Sequence, residues 1–213
     1  MILVGQYDSP YTRRVAVSLR LLGFDFEHDT RSVFGDFDSM RTTNPLGRIP
    51  SLIVDDGTTL IDSGAILDWL DQQVGPERAL LAANGPARQQ ALQRIALASG
   101  TIDKVMGIGY ERLVRPERYR WPDWIARCRT QAEGGLAALA RLSWPADERL
   151  SQPWITTACM MRYVRLAVHD LLPVGRYPTL DAVSDRCEAL PAFKETYPAD
   201  YVVPVTPSEA RGL

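Results

Sequence analysis

At 213 residues, the chain can form one domain or two small ones around a substantial core. A hydrophobic content of 46% and a charged content of 23% are ordinary for a globular protein, and a net charge of −2 gives no bulk drive toward nucleic acid or an anionic membrane. The charge is uneven: residues 1–75 carry six basic and eleven acidic side chains, the remainder eighteen and fifteen. The two halves therefore present different surfaces.

Along the chain, Ile2-Leu3-Val4 suits a short buried strand. Ser9-Pro10 signals a helix, with serine at the cap and proline at the first helical position. Val15, Leu19 and Leu22 give that helix one apolar face, and Gly23 stops it. Phe24 to His28 alternates as a second strand, and residues 31–43 read as a short or irregular helix. Leu52-Ile53-Val54 and Thr58-Thr59-Leu60-Ile61 flank an Asp56-Gly57 turn as a hairpin. Ser63 then caps a helix running to Gly75-Pro76. The order predicts a small mixed sheet, parallel across the strand–helix–strand unit and antiparallel in the hairpin.

Residues 76–86, closed by Gly85-Pro86, read as a linker. Beyond it no strand is convincing. Helical patterns run over about 87–114, 122–142, 155–172 and 179–190, punctuated by prolines, and the tail 198–213 reads as irregular. The expected architecture is an α/β domain at 1–75 and an all-α domain at 87–213. The N-terminus lacks a basic region followed by a long apolar stretch, and no run approaches the roughly 18–20 apolar residues that span a bilayer. Cys128, Cys159 and Cys187 are odd in number and widely spaced, and His28 and His169 are isolated. They read as reduced thiols of a cytoplasmic protein with no metal site.

Several residues invite a chemical role. Asp62-Ser63 at a helix start has a plain reading as a cap; it also suits the two charges of an amino acid moiety, with helix N–H groups and the serine hydroxyl facing a carboxylate and Asp62 facing an ammonium. Ile49-Pro50 at a strand start is an ordinary place for proline, and if cis it would offer the Ile49 backbone to an extended ligand. Ser9 is explained as a cap, and no Asp–His pair makes it a hydrolase nucleophile. A hydroxyl at a helix N-terminus can nonetheless donate to a bound thiolate. Tyr7 is an alternative donor. Arg13 and Arg14 lie where an anion would benefit. Ile102, Met106 and Tyr110 share one helical face, which serves either core or pocket wall.

Three stretches together resemble the N-terminal landmarks of cytosolic glutathione transferases, and most closely bacterial members with serine in the first motif. They are Ser9-Pro10-Tyr11-Thr12-Arg13-Arg14-Val15, Asn44-Pro45-Leu46-Gly47-Arg48-Ile49-Pro50 and Asp62-Ser63-Gly64-Ala65-Ile66. The resemblance extends over the helical second half. It implies a thioredoxin-like N-terminal domain with a cis Ile49-Pro50 bond, an all-helical second domain, and a homodimer. Reduced glutathione would be the co-substrate, with no further cofactor, and a small apolar electrophile its reaction partner. Carried over by residue, Ser9 or Tyr7 would stabilise the thiolate, Ile49 and Pro50 would hold the cysteinyl part, and Asp62 and Ser63 the γ-glutamyl end. Arg48, Arg41 and Arg13 would supply cationic contacts, while Met106 and Tyr110 would line the electrophile pocket. The first motif lacks the cysteine of mixed-disulfide members and the serine–cysteine cluster of the isomerase class. In the helical half the family's Ser/Thr-x-x-Asp capping box is sought at Thr156-Thr157-Ala158-Cys159, where cysteine replaces the acid. Two further readings stay open: a glutathione-binding regulatory protein of low activity, and a glutathione-dependent isomerase or peroxidase.

Overall fold

The structure is a computed structural model that describes residues 1–198. The expected irregular tail, and the end of the predicted second domain, lie outside these residues from 199 onward. Four short strands, β1 (Ile2–Val4), β2 (Glu27–Asp29), β3 (Ser51–Ile53) and β4 (Thr59–Ile61), form one sheet in the order β2-β1-β3-β4. β1 runs parallel to β2 and antiparallel to β3, which pairs antiparallel with β4. Helices α1 (Pro10–Leu22), α2 (Phe37–Thr43) and α3 (Ser63–Val74) complete a thioredoxin-like N-terminal domain. α4 (Gly85–Leu113), α5 (Pro122–Ala140), α6 (Gln152–Ala167), α7 (Pro178–Glu188) and α8 (Pro191–Lys194) build the helical second half. Among the described residues, no helix is long and apolar enough to cross a membrane.

Local chemistry explains most boundaries. The Ser9 hydroxyl accepts from the Thr12 N–H at 3.3 Å, and Pro10 fixes the first helical φ, so α1 begins where the sequence predicts. It ends at Gly23, whose left-handed backbone lets its N–H cap the last turn. The second strand is shorter than its alternation suggested. Phe24 and Phe26 pack against the core, and pairing with β1 begins only at Glu27.

The N-cap of α6 is Ser151, three residues before Trp154, and not Thr156. Thr156 lies fully buried inside that helix. The third helical position, where a capping-box acid would stand, therefore holds Trp154, and Cys159, where the acid was sought, is an interior core residue.

One cluster joins the sheet, α1 and α3 to α6, α7 and α8 through Leu3, Leu19, Leu52, Ile66, Trp154 and Phe193. A second fills the helical bundle around Ile102, Ile108, Leu136 and Val164. Packing against α6 fixes the back of α1 and leaves its N-terminus facing α4 across a cleft.

Candidate active site

The cleft holds two adjoining cavities. One, of about 460 Å³, is mostly apolar and is lined by Ser9, Pro10, Val33, Phe34, Met106 and Tyr110, among others. The other, of about 380 Å³, is polar and is lined by Arg14, Asn44, Asp62, Ser63, Ser99 and Asp103, among others. Tyr11, Arg48 and Ile49 border both.

Ile49, on the shared border, also takes part in a close approach. Gly5 follows β1 at φ 128°, and a Cβ there would lie 2.7 Å from Ile49 Cβ and 2.8 Å from Thr12 Oγ1. Only glycine lets the strand end, the first turn of α1 and Ile49 converge. The Ile49-Pro50 bond is cis, as the family resemblance implied. Asn44 braces this loop, donating from Nδ2 to the Arg48 carbonyl at 2.8 Å and accepting from the Leu46 N–H at 3.0 Å.

At the polar cavity, the Asp62 carboxylate caps α3, accepting from the Gly64 N–H at 2.7 Å and from the Ala65 N–H at 3.4 Å. Asp62 adopts φ 68°, ψ 125°, alone among the described non-glycine residues in having a positive φ. Such a conformation persists only where its surroundings impose it, and it clusters at ligand sites. Ser63 is buried, and its hydroxyl accepts from Arg14 Nε at 3.1 Å and from Nη2 at 2.6 Å. Arg14 also reaches Ser99 Oγ from Nη1 at 3.4 Å and lies over the Tyr11 ring at 5.3 Å. Burial pushes its pKa down, opposed by nearby Tyr11 and Asp62. A buried guanidinium whose hydrogen-bond partners are hydroxyls favours an anion beside it.

At the apolar cavity, Ser9 uses an oxygen lone pair for capping, so its own proton is available to a ligand. Phe34 meets Tyr110 edge to face at 5.8 Å. Burial raises the pKa of Tyr110; for Tyr11, burial and then the hydrogen bond to Asp103 raise it well above the ordinary phenol value. Both remain O–H donors at neutral pH. Among the described residues no group of three or more His, Cys, Asp or Glu could hold a metal ion.

Of the sequence candidates, Ser9, Ile49, Pro50, Arg48, Asp62, Ser63, Met106 and Tyr110 all line these cavities. Three candidates do not. Tyr7 stacks on His28 at 3.9 Å, lining neither cavity. Arg13 turns away from both cavities and makes a bidentate pair with Glu188 at 2.7 Å on both oxygens. Arg41 lies over the Phe37 ring and 3.9 Å from Asp38, outside both cavities. Ile102, from the proposed helical stripe, is wholly core. Sequence reasoning missed Tyr11, Ser99 and Asp103, and of the two arginines placed near an anion it carried Arg13 rather than Arg14 to the binding site. Val33 and Phe34 carried a signal as apolar residues in a polar stretch.

Comparison with known proteins agrees with this fold. The pattern of the glutathione S-transferase N-terminal domain matches residues 3–78. A glutathione S-transferase of Methylobacterium radiotolerans, solved with glutathione sulfonate, is 30% identical with a TM-score of 0.86, over 95% of this chain and 96% of that one. A glutathione S-transferase of Methylobacillus flagellatus with bound glutathione is 28% identical with a TM-score of 0.85, over 93% and 99%. A maleylacetoacetate isomerase of Pseudomonas aeruginosa is 28% identical over 98% of this chain and 100% of its own length. The chain belongs to the glutathione transferase family.

Proposed function

We propose that the protein binds reduced glutathione across both cavities and activates its thiolate for attack on an apolar electrophile. The observation that carries this is the meeting of the cavities at Tyr11, Arg48 and Ile49, with the Ser9 hydroxyl on one side and the Arg14–Ser63 pair on the other. The γ-glutamyl carboxylate suits Ser63 and the α3 N-terminus, with Arg14 behind; its ammonium suits Asp62. Ile49 makes no backbone hydrogen bond outside the strands among the described residues, so its N–H and C=O suit the cysteinyl backbone. The glycyl carboxylate suits Arg48.

The thiol then lies at the N-terminus of α1. Lowering its pKa by about 2 units from the reference value requires about 2.7 kcal/mol. One hydroxyl donor with the positive end of a helix can supply this. The thiol proton leaves to water. The thiolate forms a C–S bond to an electrophile held against Phe34, Met106 and Tyr110, and the electron pair departs with a leaving group or is protonated. Proximity and thiolate stabilisation are the sources of rate. The same reading includes a homodimer, which light scattering on the eluted protein would test.

A second reading, glutathione-dependent isomerisation, is favoured by the full-length likeness to a protein named maleylacetoacetate isomerase. There the thiolate would add to a conjugated alkene, the C–C bond would rotate, and the thiolate would leave unchanged. The first motif, Ser9-Pro10-Tyr11, lacks the serine–cysteine cluster of that class.

Calorimetry with reduced glutathione, followed by assays with aryl halide, epoxide, peroxide and cis-enone substrates, tests both. We expect binding at millimolar concentration or tighter and turnover of halide or epoxide. Ser9→Gly, which loses only a few tenths of a kcal/mol of capping, should lower turnover at least tenfold, with affinity within about threefold. Turnover of the cis-enone alone would select the isomerase. Binding without any turnover would select a regulatory role, and no binding would remove the reading altogether.

A further inference from the structure

Tyr11 spans the cleft. It starts from the first turn of α1, two residues after Ser9, and its hydroxyl donates to Asp103 Oδ1 on α4 at 2.6 Å. The Ser99 carbonyl, one helical turn earlier, lies 3.1 Å away as a second acceptor. Asp103 precedes Met106 by three residues and Tyr110 by seven, so all three occupy one face of α4. We propose that Tyr11 is a positioning residue, forming with Asp103 a strut that sets the distance from the Ser9 hydroxyl to the Met106–Tyr110 wall.

The geometry supports this in three ways. Pro10 makes the first turn of α1 stiff, so fixing Tyr11 also fixes Ser9. Tyr11 borders both cavities, and its ring carries the Arg14 guanidinium on one face. Burial also keeps Tyr11 protonated, so the hydroxyl remains a donor and Asp103 its acceptor. A charge-assisted hydrogen bond at this length is among the stronger ones available. The strut thus joins the half that holds the thiol to the half that holds the electrophile, and its effect on rate rests on the glutathione reading above.

The test compares Tyr11→Phe, Asp103→Ala, their double variant and Asp103→Asn in the full chain. Melting temperature is followed beside kcat, the electrophile KM and, for Tyr11→Phe, calorimetric glutathione affinity. Tyr11→Phe retains the ring and should leave glutathione affinity within about twofold while lowering kcat/KM for the electrophile roughly tenfold, the scale of one lost hydrogen bond to a charged group. Asp103→Ala should lower it similarly, and the double variant no further than either single change. Asp103→Asn still accepts through its amide oxygen and should retain most of the activity. Additive losses, full activity in Tyr11→Phe, or an Asp103→Asn as impaired as Asp103→Ala would overturn the proposal. If the wild type binds no glutathione, the reading of the site fails separately. The melting temperatures then still decide: sub-additive shifts uphold the strut and additive shifts overturn it.

Discussion

Arg14 Nη2 donates to Ser63 Oγ across 2.6 Å, joining the first helix to the N-terminus of the third with both side chains buried. The contact spans 49 residues of sequence, and it places a positive charge behind the hydroxyl proposed to face the γ-glutamyl carboxylate. Arg14→Met should fill much of the same space without charge or donors. Hydrogen bonds to charged groups contribute about 1.5–3 kcal/mol, so glutathione affinity should fall by roughly tenfold to a hundredfold. Arg14→Lys should recover little, because one ammonium cannot reproduce the fork. Calorimetry on the three proteins measures this, and equal affinities would detach Arg14 from the ligand.

Asp62 combines a cap with an unfavourable backbone, and two substitutions separate them. Asp62→Ala loses the side-chain acceptor for the Gly64 and Ala65 N–H groups but retains a Cβ at φ 68°. Asp62→Gly loses the same acceptor and relieves the backbone. The glycine variant should therefore be more stable than the alanine variant by about 1 kcal/mol, the low end of the cost of such a conformation. Denaturant midpoints compare the two. Both should bind glutathione more weakly than wild type, because the proposed partner of the ammonium is missing in each.

What the sequence revealed and concealed follows from how local each feature is. Ser9 was legible because capping is written within three or four residues; the same rule found the start of α3 but put its cap at Ser63, one residue past Asp62, whose carboxylate is the acceptor that caps the helix. The sheet was legible because its hairpin and its crossover each have a fixed sense. Which of two adjacent arginines faces a cavity was not. Arg13 and Arg14 differ by about 100° around α1, and only packing against α6 and α8 turns Arg13 to Glu188 and Arg14 to Ser63. Tyr11 and Asp103 meet across 92 residues, a pairing that no spacing rule reaches. The α6 cap was misplaced for another reason. The template sought an acid after Thr156, whereas the proline-marked start at Ser151-Gln152-Pro153 was the stronger local signal.

Arg13 and Glu188 form the opposite case, a pair outside the lining of both cavities in which the arginine is buried and the glutamate is partly exposed. Arg13 is 1% exposed, and its guanidinium also donates to the Thr196 and Phe193 carbonyls. Replacing Glu188 by Ala leaves the guanidinium without its carboxylate, and breaking such a pair costs about 3–5 kcal/mol. The melting temperature of Glu188→Ala should fall by several degrees. Glutathione affinity of the folded variant, measured well below its midpoint, should not change. A loss of affinity as large as that of Arg14→Met would show that the pair supports the site after all.

Burial pushes the thiols of Cys159 and Cys187 up to about 12 and raises that of Cys128. All three side chains are almost wholly inaccessible. For the first two the sign is simple: at pH 9, three units below the folded value, only about a thousandth of each thiol is ionised, against most of it in an unfolded chain with a reference value near 8.5. Unfolding therefore gains thiolate as pH rises, and these two residues make the fold progressively less stable between about pH 8.5 and 12. Titration with a chromogenic disulfide should find no fast-reacting thiol in the native protein at pH 8 and three in denaturant. A single native thiol reacting within seconds would mean that one of the helices carrying these residues opens far more readily than its packing indicates.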